Sequence, residues 1–187
     1  MSNNQRLKDE LSEHLVVLRC QVGEEAAFEA LFERYNGRLL YYLRRMIGTT
    51  GQAEDVLQTV WLKVIRKIGS LEEPRALRTW LYRIAHNEAV QQLRKGGREV
   101  ALEDEEEVLE AAAEEEDSRP LDTARVNVAL DEISSEHRAV LTLRFMDDLS
   151  YTEIANVVGC SVGTIRSRIY YAKRALRKQI EEGNDER

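Results

Sequence analysis

The sequence predicts an all-α protein made of two small helical domains joined by an acidic flexible linker. Three observations lead there. Apolar side chains recur at three- and four-residue spacing through most of the chain, and no segment alternates with period two as a half-buried strand does. Proline is scarce (2 of 187 residues) while 33% of the residues are charged, the balance of a soluble helical protein. Between Arg98 and Asp122 the apolar pattern lapses, and twelve acids stand against two arginines. A stretch of that composition buries too little apolar area to offset its ordering entropy. It therefore reads as a linker, with one short helix over 108–115 compatible with its Ala and Glu content. The expected boundaries are an N-terminal domain at 1–97, the linker at 98–122 and a C-terminal domain at 123–187.

The N-terminal domain opens on a weak apolar pattern, Leu7, Leu11, Leu15, Leu18 and Val22, read as a first helix. Phe28, Leu31, Phe32, Tyr35, Leu39, Leu43 and Met46 outline a second helix, which the run Gly48-Thr49-Thr50-Gly51 breaks. A third carries Val56, Leu57, Val60, Trp61, Val64, Ile65 and Ile68 on one face and ends at Gly69-Ser70. Pro74 suits the first turn of the next helix, where its missing N–H costs nothing. That helix runs to about Lys95 with Leu77, Leu81, Ile84, Ala85, Ala89 and Leu93 inward, and Gly96-Gly97 stops it. Four shorter helices follow the linker, over 124–133, 136–146, 151–158 and 162–180. Ser134 or Ser135 can cap the second of these, Ser150-Tyr151-Thr152-Glu153 has the form of a capping box, and Ser161 can cap the last.

The net charge of −7 conceals a segregation. The linker alone carries −10, so taking it from the total leaves +3 for the rest. Residues 74–98 hold six basic side chains and one acid, and residues 161–180 hold six and none. Basic stretches of this kind are candidate phosphate-facing surfaces. Catalysis finds little support. His14, His86 and His137 are scattered, Cys20 and Cys160 have no metal-ligand spacing, and no glycine-rich loop precedes a helix. The chain is expected to be no enzyme and to need no cofactor. The longest apolar run, Leu39 to Leu43, is far below the roughly 20 residues that span a bilayer. The first residues show no apolar leader. Membrane insertion is not expected, and the two thiols suit a reducing cytoplasm.

Residues 150–178 combine a helix of about eight residues, a turn at Gly159-Cys160-Ser161, and a longer helix, the spacing of a helix-turn-helix. Ala155 is small where the two helices cross, Gly159 stands where the turn needs positive φ, and Ile165 lies where the second helix returns to the core. On a wheel Val162, Ile165, Ile169, Ala172 and Leu176 form the inward stripe. Arg166, Tyr170, Lys173 and Arg177 flank it, and Gly163, Ser167, Tyr171, Arg174 and Lys178 point away. The early positions of a recognition helix reach base edges and later ones reach backbone. Gly163, Thr164, Arg166, Ser167 and Tyr170 are assigned near the bases, with Tyr171 beside them. Lys173, Arg174, Arg177 and Lys178 are assigned to phosphates. Residues 73–99 interleave aromatics with Arg, Asn and Gln, a mixture suited to unpaired bases. Trp80 and Tyr82 within it serve equally well as core.

Four segments, in this order, resemble the two-domain sigma factors of bacterial RNA polymerase, of the extracytoplasmic-function class within the sigma-70 superfamily. They are EEAAFEALFERYNGRLLYYLRR (24–45), AEDVLQTVWLKVI (53–65), WLYRIAHN (80–87) and LSYTEIANVVGCSVGTIRSRIYYAKRAL (149–176). The resemblance implies that the helix over 53–67 docks on the clamp helices of the largest polymerase subunit through Asp55, Gln58, Trp61 and Lys63. It implies that residues 77–98 open the promoter and hold the non-template strand of the −10 element through Asn87, Gln91, Arg94 and Lys95, with Arg83 and His86 nearby. It implies that the helix-turn-helix reads the −35 duplex, and that the free protein is a monomer. Members of the family often have an anti-sigma partner. Thr59 stands where the family often has an acid, so that part of the polymerase contact does not transfer, and Tyr171 stands where relatives often carry Arg or another polar residue, so the −35 preference does not transfer. The acidity of the linker raises a further expectation, that it folds back on the basic helices of the free protein. A transcriptional regulator that binds duplex DNA as a dimer through residues 124–180 is the alternative reading, and a helical adaptor a third.

Overall fold

A computed structural model describes residues 3–48, 50–96 and 123–185. The acidic stretch read as a linker, with its short helix and its fold-back, lies outside those residues. Contacts divide the chain into two compact units, Met1–Gly97 and Arg98–Arg187. Every regular element among the described residues is helical, and none of those helices is long and apolar enough to cross a membrane.

The first unit contains α1 (Asn3–Gln21), α2 (Glu25–Ile47), α3 (Thr50–Lys67) and α4 (Leu77–Lys95). Helix α2 packs against all three others, and α3 packs on α4. Leu31, Tyr35, Leu39, Tyr42 and Leu43 of α2, Val60 and Val64 of α3, and Leu77, Leu81, Tyr82, Ala85 and Ala89 of α4 are buried. Gly48 ends α2 with φ 84°, its N–H donating to Arg44 O. Pro74 opens a 3₁₀ turn, Pro74–Ala76, rather than the α-helix itself, and Glu73 caps that turn by accepting from Arg75 N.

Helix α1 does not bury its apolar stripe. Leu11, Leu15, Leu18 and Val22 are exposed, while Val17 and Cys20 are buried. Polar anchoring selects that face. Tyr35 Oη donates to Glu13 Oε1 at 2.7 Å, Arg34 pairs with the same oxygen at 2.9 Å, and Gln21 Nε2 donates to Ile68 O and Leu71 O. Residues 13, 17 and 20–21 lie on one side of a helix, so these contacts turn the leucine stripe outward. Ile65 and Phe32 also depart from expectation, with 54% and 46% exposure. Ile65 sits one turn beyond Trp61, which already marks the rim of the buried arc.

The second unit contains α5 (Thr123–Asp131), α6 (Ser135–Phe145), α7 (Tyr151–Val158) and α8 (Val162–Asp185). Its local chemistry follows the sequence closely. Ser134 Oγ accepts from His137 N, Ser150 and Glu153 complete a capping box, and Ser161 Oγ accepts from Thr164 N at 3.0 Å. Helix α8 packs against α5, α6 and α7, with Ile165, Ile169 and Ala172 buried. Val162, expected inside, is 38% exposed at the open first turn of α8.

Candidate nucleic-acid interface

The turn between α7 and α8 is built from one glycine and one serine. Gly159 takes φ 82° and ψ 35°, a left-handed conformation that side-chain-bearing residues adopt at a cost. Its N–H and that of Cys160 both donate to Ala155 O, at 2.8 and 3.2 Å. Two otherwise unsatisfied donors are paired, and α8 starts at a fixed angle two residues later. Between Val162 and Ile180 the helix has no acid. Gly163, Arg166, Tyr170, Lys173, Arg174, Arg177 and Lys178 are exposed, and Thr164 and Tyr171 are half-buried. The Tyr170 and Tyr171 rings meet edge to face, 5.4 Å between centroids, which stiffens two neighbouring side chains at the edge of the exposed face. Lys173 Nζ lies 5.4 Å from the Phe145 ring centroid.

Ser167 departs from the expected outward set. It is buried, and its hydroxyl donates back to Gly163 O and Thr164 O. Because α8 is packed by three helices, more than one stripe of it is covered, and a small residue tolerates the second one. Arg168, part of the basic stretch but absent from the expected contacts, is half-buried at the margin of the exposed face.

Helix α4 sorts its polar residues by face. Arg83, Asn87, Gln91 and Arg94 recur at four, four and three residues and are all exposed, with Lys95 beside them. His86 is not among them. It is buried, and its Nδ1 shares a hydrogen bond with Tyr42 Oη at 2.9 Å. Tyr82 is fully buried, edge to face with Tyr42, which makes it core rather than a stacking platform. Trp80 stays half-buried and accessible. The exposed face thus offers cations to a backbone and two amides to base edges, with one aromatic near its start.

Helix α3 presents a third face. Asp55 and Gln58 are exposed, followed at four and three residues by Leu62 and Ile65, each 54% exposed. These two apolar side chains were not among the expected contacts, and the signal for Leu62 was its absence from the inward stripe. Trp61 lies beneath the face. Its Nε1 donates to Asn36 Oδ1 at 3.0 Å and its ring packs 5.0 Å from Phe32. Lys63 pairs with Glu88 of α4. Arg44 of α2 donates to Glu54 at 2.5 Å, and that hydrogen bond holds the Glu54 carboxyl below its usual range. The α3 face is thereby fixed to both neighbouring helices.

Residues 31–99 match the family described as Sigma-70 region 2, and residues 129–178 match Sigma-70, region 4. The RNA polymerase sigma-H factor of Pseudomonas aeruginosa is 34% identical over 178 residues, which cover 89% of this chain and 92% of that protein. The ECF RNA polymerase sigma-E factor of Escherichia coli K12 is 33% identical over 187 residues, covering 94% and 97%. Among solved structures, the sigma factor RpoE of Bartonella quintana, in complex with the anti-sigma factor NepR, has a TM-score of 0.64 at 28% identity, covering 82% of this chain and 96% of that one. CnrH, in complex with the cytosolic domain of CnrY, has a TM-score of 0.67 at 23% identity, covering 91% and 97%, and shows a shared fold.

Proposed function

We infer that this chain, which belongs to the sigma-70 family of RNA polymerase sigma factors and to its extracytoplasmic-function group, directs transcription initiation through three separate faces. In this reading the exposed face of α3, with Asp55, Gln58, Leu62 and Ile65 over Trp61, docks on the clamp helices of the largest polymerase subunit. The face of α4 captures the −10 non-template strand, Asn87 and Gln91 reading base edges while Arg83, Arg94 and Lys95 hold backbone. Helix α8 enters the major groove of the −35 duplex. Gly163, Thr164, Arg166, Tyr170 and Tyr171 lie near the bases, and Lys173, Arg174, Arg177 and Lys178 lie on phosphates. Residues 1–97 and 123–187 act as the two domains and 98–122 as the tether between them.

The observation that carries this reading is the sorting on α4. Arg83, Asn87, Gln91 and Arg94 stand exposed together, while Glu88, the helix's one acid, is turned inward. A regulator working through α5–α8 alone has no use for that face. The protein supplies promoter choice and strand capture, and the bond-forming chemistry belongs to the polymerase. An anti-sigma partner fits the family and the RpoE–NepR neighbour. The site of action is where the polymerase is, the cytoplasm.

The test mixes the purified chain with sigma-free core polymerase and a randomised promoter library, then sequences transcript 5′ ends. Transcripts that require the chain and share two upstream elements support the reading. No such transcripts, with duplex binding by the chain alone, point instead to a regulator acting through α8.

A further inference from the structure

Lys63 and Glu88 join the two helices assigned above to different partners. Glu88 is 8% exposed, and its Oε1 accepts from Lys63 Nζ across the α3–α4 seam. Asn87 precedes Glu88 by one residue and Gln91 follows by three, and both are exposed. Lys63 stands in sequence between exposed Leu62 and Ile65, and its ammonium pairs with Glu88 on the next helix while its side chain keeps 37% exposure.

A buried carboxylate is costly unless paired, so Glu88 favours positions of α4 that keep it within reach of Lys63. Val60 and Val64 of α3 and Leu81, Tyr82, Ala85 and Ala89 of α4 are packed in the core, and the Glu88 pair adds to that packing a directional constraint between the two helices. A roll of α4 by about 10° carries a side chain on its outer surface, some 5–6 Å from the axis, through roughly 1 Å. A displacement of that size weakens hydrogen bonds from the α4 amides, which need their partners within about 3 Å.

We propose that Lys63 is a positioning residue, not a polymerase contact: its ion pair with Glu88 sets the roll of α4 on α3 and so places the Asn87 and Gln91 amides for the unpaired −10 bases. The proposal rests on the sigma reading above. It ties the strand-capturing face to the helix that docks on the polymerase, with no contact between Lys63 and either partner.

The experiment uses full-length chain, core polymerase, and a fluorescent single-stranded oligonucleotide carrying the −10 element found in the transcript test. Core affinity, holoenzyme affinity for the oligonucleotide and the rate of promoter opening are measured for wild type, E88Q and the charge-reversed K63E/E88K. E88Q is expected to bind core polymerase as wild type does, and to lose about tenfold in oligonucleotide affinity and opening rate, the worth of about one hydrogen bond. K63E/E88K is expected to recover both, because the pair is restored with its ends exchanged. A reversed pair that restores strand capture but binds core poorly overturns the proposal, since Lys63 then touches the polymerase. Unimpaired opening by E88Q also overturns it, as does a parallel loss of core and strand affinity that K63E/E88K does not repair. Wild type that binds no core polymerase removes the sigma reading itself, an outcome distinct from all of these.

Discussion

Replacing Gly159 with alanine tests whether the α7–α8 turn depends on backbone freedom alone. Gly159 holds φ 82° and ψ 35°, and a Cβ built on it meets nothing within 4 Å. Steric overlap therefore contributes no cost. What remains is the left-handed conformation, worth about 1–2 kcal/mol against an L-residue, less about 0.4–1 kcal/mol from a stiffer unfolded chain. The expected net destabilisation is about 1 kcal/mol, roughly a fivefold change in an equilibrium. Amide exchange on the full chain reads this directly. Amides of Ile154–Val158 and Ile165–Ala172 should exchange about fivefold faster in G159A, while those of α2–α4 are unchanged. G159N should lie between alanine and wild type, because asparagine visits the left-handed region more readily. Alanine that exchanges like wild type, or asparagine worse than alanine, would show that something other than backbone strain selects glycine here.

Three further outcomes are expected. Burial, and then its hydrogen bond to Glu13, push the Tyr35 phenol well above its ordinary value. The unfolded chain thus ionises first, so Tyr35 contributes its full stability below about pH 10 and loses it as pH climbs from there. Alkaline melting of the first unit should be less steep in Y35F, and an equal slope refutes the assignment. Cys20 is buried and its thiol is pushed up by that burial, whereas Cys160 is half-buried. A timed thiol-reagent assay with peptide mapping should label Cys160 first. Arg174 is exposed on the acid-free helix. R174A should lower the slope of log affinity against log salt for holoenzyme on −35 duplex by about 1, with little change in sequence preference.

What the sequence disclosed about this protein, and what it withheld, divides along the range of the interactions involved. Gly159, Ser161 and the Ser150–Glu153 box act within four residues of themselves, so their roles were legible before any fold was known. The acid-free run of α8 and the Arg83–Arg94 spacing were legible for the same reason, since a charged face is a property of one helix. The errors came where a residue's role is defined by a partner far along the chain. Helix α1 has two faces that each look capable of burial, and the choice between them rests on Glu13 meeting Tyr35 and Gln21 meeting the carbonyls of Ile68 and Leu71. His86 reads as one more polar residue in a basic stretch until Tyr42 is found beside it. The sequence likewise gives no sign that Lys63 pairs with Glu88, twenty-five positions on. Apolar periodicity cannot report such pairs, because a hydrogen bond or ion pair needs two specific atoms within about 3 Å whereas burial needs only a side of the helix. The same asymmetry bears on how the protein works. The faces proposed to meet DNA are written locally and can vary one residue at a time, but the pairs proposed to orient those faces change safely only together. Partner exchange at 63 and 88, rather than single substitution, is therefore the informative perturbation of this fold.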